Sequence, residues 1–441
     1  MTAYFAEYAW LPDTSAPTAD VLIEVADRRI TGVTAGAPAR SDAVRLPGLT
    51  LPGLANAHSH AFHRALRGRT HGGRGDFWSW RNLMYAVADR LDPDSYLALA
   101  RATYAEMALA GITCVGEFHY LHHRPEGGRY HDRNAMSAAL VEAAAQAGIR
   151  ITLLDTCYLT ATVDGQPLTG VQRRFGDGDA YRWAERASAF APTSRNARVG
   201  AAVHSVRAVP AEQLAVVAAW ADERGEPLHV HLSEQPAENE ACLARYGCTP
   251  SELLAEHGVL GPATTAVHAT HLTDADLARL GGTGTGACFC PTTERDLADG
   301  IGPARELVDA GSPLSLGSDS HAVIDMFEEA RAVELDERLR TRQRGHFTAA
   351  ELLVAATATG HAALGWTDAG RIAVGQRADL VTVRLDSVRT AGVPPVGVFF
   401  AAGAADVTDV VADGRPVVRD GRHVTIDVPA ALRESIAAVT R

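Results

Sequence analysis

Eight apolar, β-type runs separated by alanine-rich stretches organise the middle of this chain, and nearly every run ends in a polar or ionisable residue. The runs are LTLPGLANAHSH (49–60), ITCVGEFHY (112–120), IRITLLDTCY (149–158), VGAAVHSVRAV (199–209), PLHVHLSE (227–234), TTAVHATHL (264–272), GACFCPTTE (286–294) and SPLSLGSDSH (312–321). Helical patterns such as SYLALARATYAEMALAG and NAMSAALVEAAAQAG lie between them. Strands alternating with helices predict βα units and a parallel sheet, and eight such strands close into a (β/α)8, TIM-like barrel. The run ends carry His58 and His60, Glu117 and His119, His204, His231 and Glu234, His268 and His271, Thr292 to Glu294, and Asp319 and His321. Chemistry in this α/β architecture sits at the C-terminal ends of the strands. A repeated pattern of this kind points to a functional mouth more firmly than one isolated histidine does.

The two ends of the chain read differently. VLIEVADRRITGVTAG has two apolar runs around a turn, and Asp413-Gly414 and Asp420-Gly421 are turn dipeptides between β-rich runs near the C-terminus. One small β-sandwich domain, assembled from residues 1–48 and 370–441, is expected beside a barrel over 49–369. A chain of 441 residues suits a large barrel with a smaller partner.

Composition removes several function classes. The net charge of −12 argues against nucleic acid or an anionic membrane as partner, and leaves any anion recognition to locally placed Arg or His. No apolar run is long enough to span a membrane, and the N-terminus has no basic region followed by an apolar core, so a cytoplasmic protein is expected. Six cysteines in a chain of this length are no disulfide framework, and Cys288 and Cys290 read as buried strand residues. The sequence contains no lysine. Schiff-base chemistry and a carbamylated-lysine metal bridge are therefore excluded, and a metal site of this general kind holds one ion.

The donors for that ion stand out. His58 and His60 lie two residues apart on extended backbone, so their rings share a side. His231 adds a third imidazole after the fifth run and Asp319 a carboxylate after the eighth. Three neutral imidazoles and one carboxylate suit a divalent ion, zinc first, with iron or manganese as alternatives. They neutralise only part of its charge and leave it able to acidify a bound water. Glu234, three residues after His231, is placed to shuttle protons, although an acid there also suits a helix's first turn. His268 is the candidate base, with His271 close behind and poorly separated from it.

PGLANAHSHAFHRALRG, HLSE, HATHL, LGSDSH and the tail GRIAVGQRADLVTV resemble the amidohydrolase superfamily, in its single-metal aminohydrolase branch. DFWSWRNLMY, GEFHYLHH, VHSVRAV, CPTTERDLADG and DSHAVIDMFEEARAVELDERLR are similar to the formimidoylglutamate deiminases within it. That resemblance implies hydrolysis of N-formimino-L-glutamate to N-formyl-L-glutamate and ammonia, in bacterial histidine degradation. It implies metal ligands at His58, His60, His231 and Asp319, proton transfer by Glu234 and His268 with Asp319 assisting, and contacts to the substrate carboxylates from Arg81, Tyr120, His204 and Arg207. A homodimer is common among such proteins. Arg suits bidentate carboxylate binding. Arg207 lies three residues after His204, and Arg81 lies in a segment read as an aromatic loop with Phe77, Trp78, Trp80 and Tyr85. This chain departs from the family at His63, where members usually carry Gln, so His63 is a substrate contact of altered chemistry. Two other readings remain: an aminohydrolase of a purine, pterin or triazine ring, and a non-catalytic barrel scaffold.

Overall fold

The computed structural model describes residues 2–70 and 77–440, and the side chains of all of these except 77–79. Eight strands run parallel in sequence order: Leu54–Ser59, Ile112–His119, Arg150–Cys157, Ala197–Val203, Leu228–Leu232, Thr264–His268, Gly286–Phe289 and Leu314–Leu316. Each hydrogen-bonds to the next. Helices cover the outside, among them Pro93–Leu109, whose start is fixed by a reciprocal Asp92–Ser95 capping box.

Closure between the eighth strand and the first comes at their C-terminal ends. Ser59 and Asp319 form a parallel bridge, and the amides of Ser318 and Asp319 both donate to the carbonyl of His58, at 3.1 and 3.0 Å. The Asn56 amide group donates to the Ser318 hydroxyl at 2.7 Å and accepts the Ser318 N–H at 2.9 Å. Gly317 makes this approach possible. A Cβ there would stand 2.7 Å from the Cβ of His58 and 2.9 Å from the Cys290 sulfur. The barrel is thus sealed at the point where two of the expected metal ligands enter.

The terminal segments form a second, mixed sheet of eight strands. Val44–Pro52 is its seam: it pairs parallel with Thr2–Ala9 and antiparallel with Leu380–Val383, so both ends of the chain meet on it. The run read as one strand over 49–60 is therefore two strands in two sheets, parted at Gly53, where a Cβ would lie 2.3 Å from the Thr113 hydroxyl. Two-residue turns at Asp27-Arg28, Asp413-Gly414 and Asp420-Gly421 have positive φ at both positions, the geometry that follows strand twist. Buried Arg150, at the start of the third barrel strand, grips Asp379 of the second sheet through both guanidinium nitrogens. That pair fastens the sheet to the foot of the barrel, away from the mouth.

Candidate active site

His58, His60, His231 and Asp319 converge inside the mouth, all nearly inaccessible to solvent. Asp319 Oδ1 lies 3.4 Å from Nε2 of both His58 and His60, and His58 Nε2 lies 3.1 Å from His231 Nε2. The outer nitrogens of two rings are tied off: His60 Nδ1 donates to the Phe118 carbonyl and His231 Nδ1 to the His204 carbonyl, both at 2.9 Å. Fixing the proton on Nδ1 turns the Nε2 lone pairs inward. Inward lone pairs 3.1 Å apart repel unless a cation lies between them. Bonds of about 2.0–2.1 Å to a tetrahedral ion put donors about 3.3 Å apart, which these separations match. The residues therefore fit a divalent metal.

Electrostatics favour the same state. Burial lowers His58 to about 3 and depresses His60 and His231 as well, so these rings are neutral at neutral pH, as metal ligands must be. Burial pushes Asp319 up, but His58, His60 and His268 outweigh it and hold its carboxyl below the usual carboxylate range.

A polar cradle holds the His-Ser-His segment from beneath. Glu117 accepts the Ser59 hydroxyl and the Ala61 N–H, each at 2.7 Å, and burial raises it to about 7 against those bonds. His321 spans the Ser59 and Ser318 hydroxyls at 3.2 and 2.9 Å. Glu117 and His321 thus link the first, second and eighth strands behind the ligands. His119 stands apart from them and packs against His122, with ring centres 4.8 Å apart.

His268 and His271 separate cleanly. His268 Nε2 lies 3.8 Å from both Glu234 Oε1 and Asp319 Oδ2, and its ring stacks on His231 at 5.6 Å with planes 13° apart. His271 points away and donates to the Asp299 carbonyl at 2.7 Å. A left-handed backbone at His268 and Ala269, φ +68 and +48, turns the chain between them. Burial works against a charge on His268, yet Glu234, Glu294 and Asp319 raise it well above the usual imidazole value.

The remaining expected residues line the same cavity as these groups: His63, Arg81, Tyr120, His204 and Arg207, together with Trp80 and Tyr158. His63 Nε2 and the Tyr120 hydroxyl are 3.1 Å apart, and burial keeps His63 well below the usual imidazole range, so it offers a neutral hydrogen-bonding ring. Arg207 donates through Nε to Glu238 at 3.0 Å and reaches within 4.0 Å of Glu234. Arg81 lies over the Tyr85 ring at 5.5 Å. The segment read as an aromatic loop is a helix, Phe77–Arg90, which contains no Gly or Pro to break it. Trp80 meets His63 edge-to-face at 5.3 Å, while the side chains of Phe77 and Trp78 lie outside the described residues.

Residues 49–417 match the amidohydrolase family. The chain belongs to that family. It is 39% identical to the formimidoylglutamate deiminase of Pseudomonas aeruginosa, with 96% of each chain covered. It is 30% identical to a 5-methylthioadenosine/S-adenosylhomocysteine deaminase of Halobacterium salinarum, over 97% of this chain and 94% of that one. An amidohydrolase crystal structure from Brucella melitensis superposes with a TM-score of 0.92 at 32% identity, covering 100% of both chains. An adenosine deaminase from Xanthomonas campestris, solved with bound zinc, gives 0.84 at 25% identity over 99% and 97%. The barrel and second sheet are therefore amidohydrolase architecture, and the resemblance read from the motifs holds along nearly the whole chain.

Sequence reasoning gave no role to three buried side chains that shape this amidohydrolase site. Glu238 holds Arg207. Glu294 stands 3.3 Å from His268 Nδ1. Tyr158 stacks on His204 with ring centres 4.3 Å apart, and burial raises its hydroxyl to about 12. Glu294 was visible as a polar strand end, but its partner was not.

Proposed function

We propose that this amidohydrolase hydrolyses N-formimino-L-glutamate to N-formyl-L-glutamate and ammonia, with one divalent ion, zinc in the first instance, held by His58, His60, His231 and Asp319. The observation that carries the substrate is Arg81 and Arg207 lining one cavity with the histidine–carboxylate cluster, in a chain of net charge −12. Formiminoglutamate has two carboxylates to be neutralised, and two guanidiniums supply the bidentate partners. The identity to the Pseudomonas deiminase supports the same choice.

When bound, the metal supplies Lewis acidity and water acidified toward neutrality. The protein's own groups do the rest. Arg81 and Arg207 orient the substrate by its carboxylates, with Tyr120, His63 and His204 beside them. Nε2 of His268 addresses Glu234 and Asp319 at equal distances of 3.8 Å. That triangle takes a proton from the attacking water and returns it to the imine nitrogen. The water oxygen bonds to the formimino carbon, the bond from that carbon to the terminal nitrogen breaks, and nitrogen leaves as ammonia with the protons water gave up. The carbon becomes the formyl carbonyl. On this reading the protein is a cytoplasmic enzyme of histidine degradation, active as a homodimer.

An ammonia-release panel tests the substrate. Formiminoglutamate is expected to turn over, whereas an aminopurine, a pterin and an aminotriazine are not. Turnover of a ring substrate with no release from formiminoglutamate would replace this reading by the ring-aminohydrolase alternative.

A further inference from the structure

Glu294 is a buried carboxylate behind His268, to which the scheme above gives no task. It follows the seventh strand, in the first turn of helix Pro291–Leu297, and only 4% of it is exposed. Its Oε1 accepts the Cys290 N–H at 2.9 Å and stands 3.3 Å from His268 Nδ1. A carboxylate this buried is retained at a cost unless its partners make use of it. One partner, the Cys290 amide, is a helix-end group that any acceptor would satisfy. The other is the imidazole at the centre of the proton path.

The His268 backbone itself is strained. Non-glycine residues are disfavoured at positive φ, and such strain gathers at functional sites. The turn is fastened by Ala269 N–H to the Leu232 carbonyl at 3.1 Å and His271 N–H to the Ser233 carbonyl at 3.0 Å. Those bonds fix the main chain and leave the ring free to rotate. Two contacts address that freedom: His231 stacks on one ring face, and Glu294 meets the Nδ1 edge.

We propose that Glu294 is the positioning residue for His268: it accepts the Nδ1 proton and thereby turns Nε2, as the nitrogen open for exchange, toward Glu234 and Asp319. A base oriented by a carboxylate on its far nitrogen is a general device for fixing ring rotation and tautomer together. The inference rests on His268 as proton carrier in the proposed reaction. It adds that the seventh strand, which supplies no metal ligand, supplies the group that aims the base.

Two measurements test it. In metal-loaded enzyme with 15N-labelled histidine, titrated upward in pH until the ring loses its charge, the His268 signals, assigned by their loss in His268→Gln, should show the remaining proton on Nδ1. In Glu294→Gln, kcat should fall about tenfold, because an uncharged amide oxygen in the place of Oε1 accepts the His268 Nδ1 proton about half as strongly as a carboxylate does. KM should stay within about threefold, with metal content and Tm unchanged, because an amide oxygen still satisfies the Cys290 amide. Glu294→Asp should recover part of kcat. A role confined to capping the helix would leave kcat untouched in Glu294→Gln. Wild-type kcat in that variant, or a His268 proton on Nε2, would overturn the proposal. The tautomer measurement uses no substrate, so it stands if formiminoglutamate fails to turn over, and it decides alone if the variants do not fold.

Discussion

Replacing Arg207 with methionine separates recognition from stability, and the structure gives the size of each effect. Arg207 Nε donates to Glu238 at 3.0 Å, and the Glu238 side chain keeps only 2% of its exposure. Removing the guanidinium leaves that carboxylate buried without its counter-charge. Breaking a buried pair from one side costs about 3 kcal/mol at the low end, the end that applies because 32% of the Arg207 side chain remains exposed. For 441 residues unfolding as one unit, this lowers Tm by roughly 3 °C. Charge-assisted hydrogen bonds to a substrate carboxylate contribute about 1.5–3 kcal/mol, or about 10- to 140-fold in kcat/KM at 1.4 kcal/mol per tenfold. The double variant Arg207→Met/Glu238→Gln removes the stranded charge while a glutamine oxygen still accepts the Ser233 N–H, which Glu238 accepts at 3.0 Å. It should regain more than half of the lost stability and none of the lost kcat/KM. Denaturant unfolding and steady-state ammonia release on the same preparations measure both. If Arg207→Met alone leaves kcat/KM within twofold, or the double variant restores it, Arg207 does not bind the carboxylate.

Gly317→Ala should weaken metal binding and lower stability by about 1–3 kcal/mol, the range for forcing an atom into a packed site, because the new Cβ would lie 2.7 Å from the Cβ of His58; metal analysis after dialysis, beside thermal unfolding, reads both. Acid should destabilise the fold through two buried histidines, His229 and His361, that are not among the metal ligands. Burial lowers His229 and His361 from 6.5 to about 4, so below pH 6.5 the unfolded chain binds protons that the folded chain refuses. Stability present above pH 6.5 is then lost as pH falls toward 4, by about 2 kcal/mol per histidine at pH 5. Denaturant midpoints between pH 7.5 and 5.0 should show this slope, and His361→Gln should flatten it; a flat wild-type profile would contradict the assignment.

Much of the mouth was legible because a barrel strand ends where its chemistry begins. His58-Ser59-His60, His231, Glu234 and Asp319 each follow an apolar run, and the period of two on extended backbone fixes which side chains share a side. What stayed hidden depends on contacts that only closure creates. Glu238 and Arg207 are 31 residues apart, and Glu294 and His268 are 26 apart, with no local spacing to join them. The choice between His268 and His271 turns on a left-handed backbone that leaves no mark in composition. The run over 49–60 concealed a change of sheet because both of its halves are equally apolar and only Gly53 marks the break. In the helix Phe77–Arg90 the apolar residues run together from Leu83 to Ala88, so periodicity there does not separate one helix face from the other.

The central claim, one catalytic divalent ion held by His58, His60, His231 and Asp319, is tested most directly by titrating metal-stripped protein with zinc while following ammonia release from formiminoglutamate. The account predicts negligible release without metal and activity that rises linearly to a break at one ion per chain, with His60→Ala showing neither binding nor turnover. Full activity in the stripped protein, or an unaltered titration in His60→Ala, would contradict it.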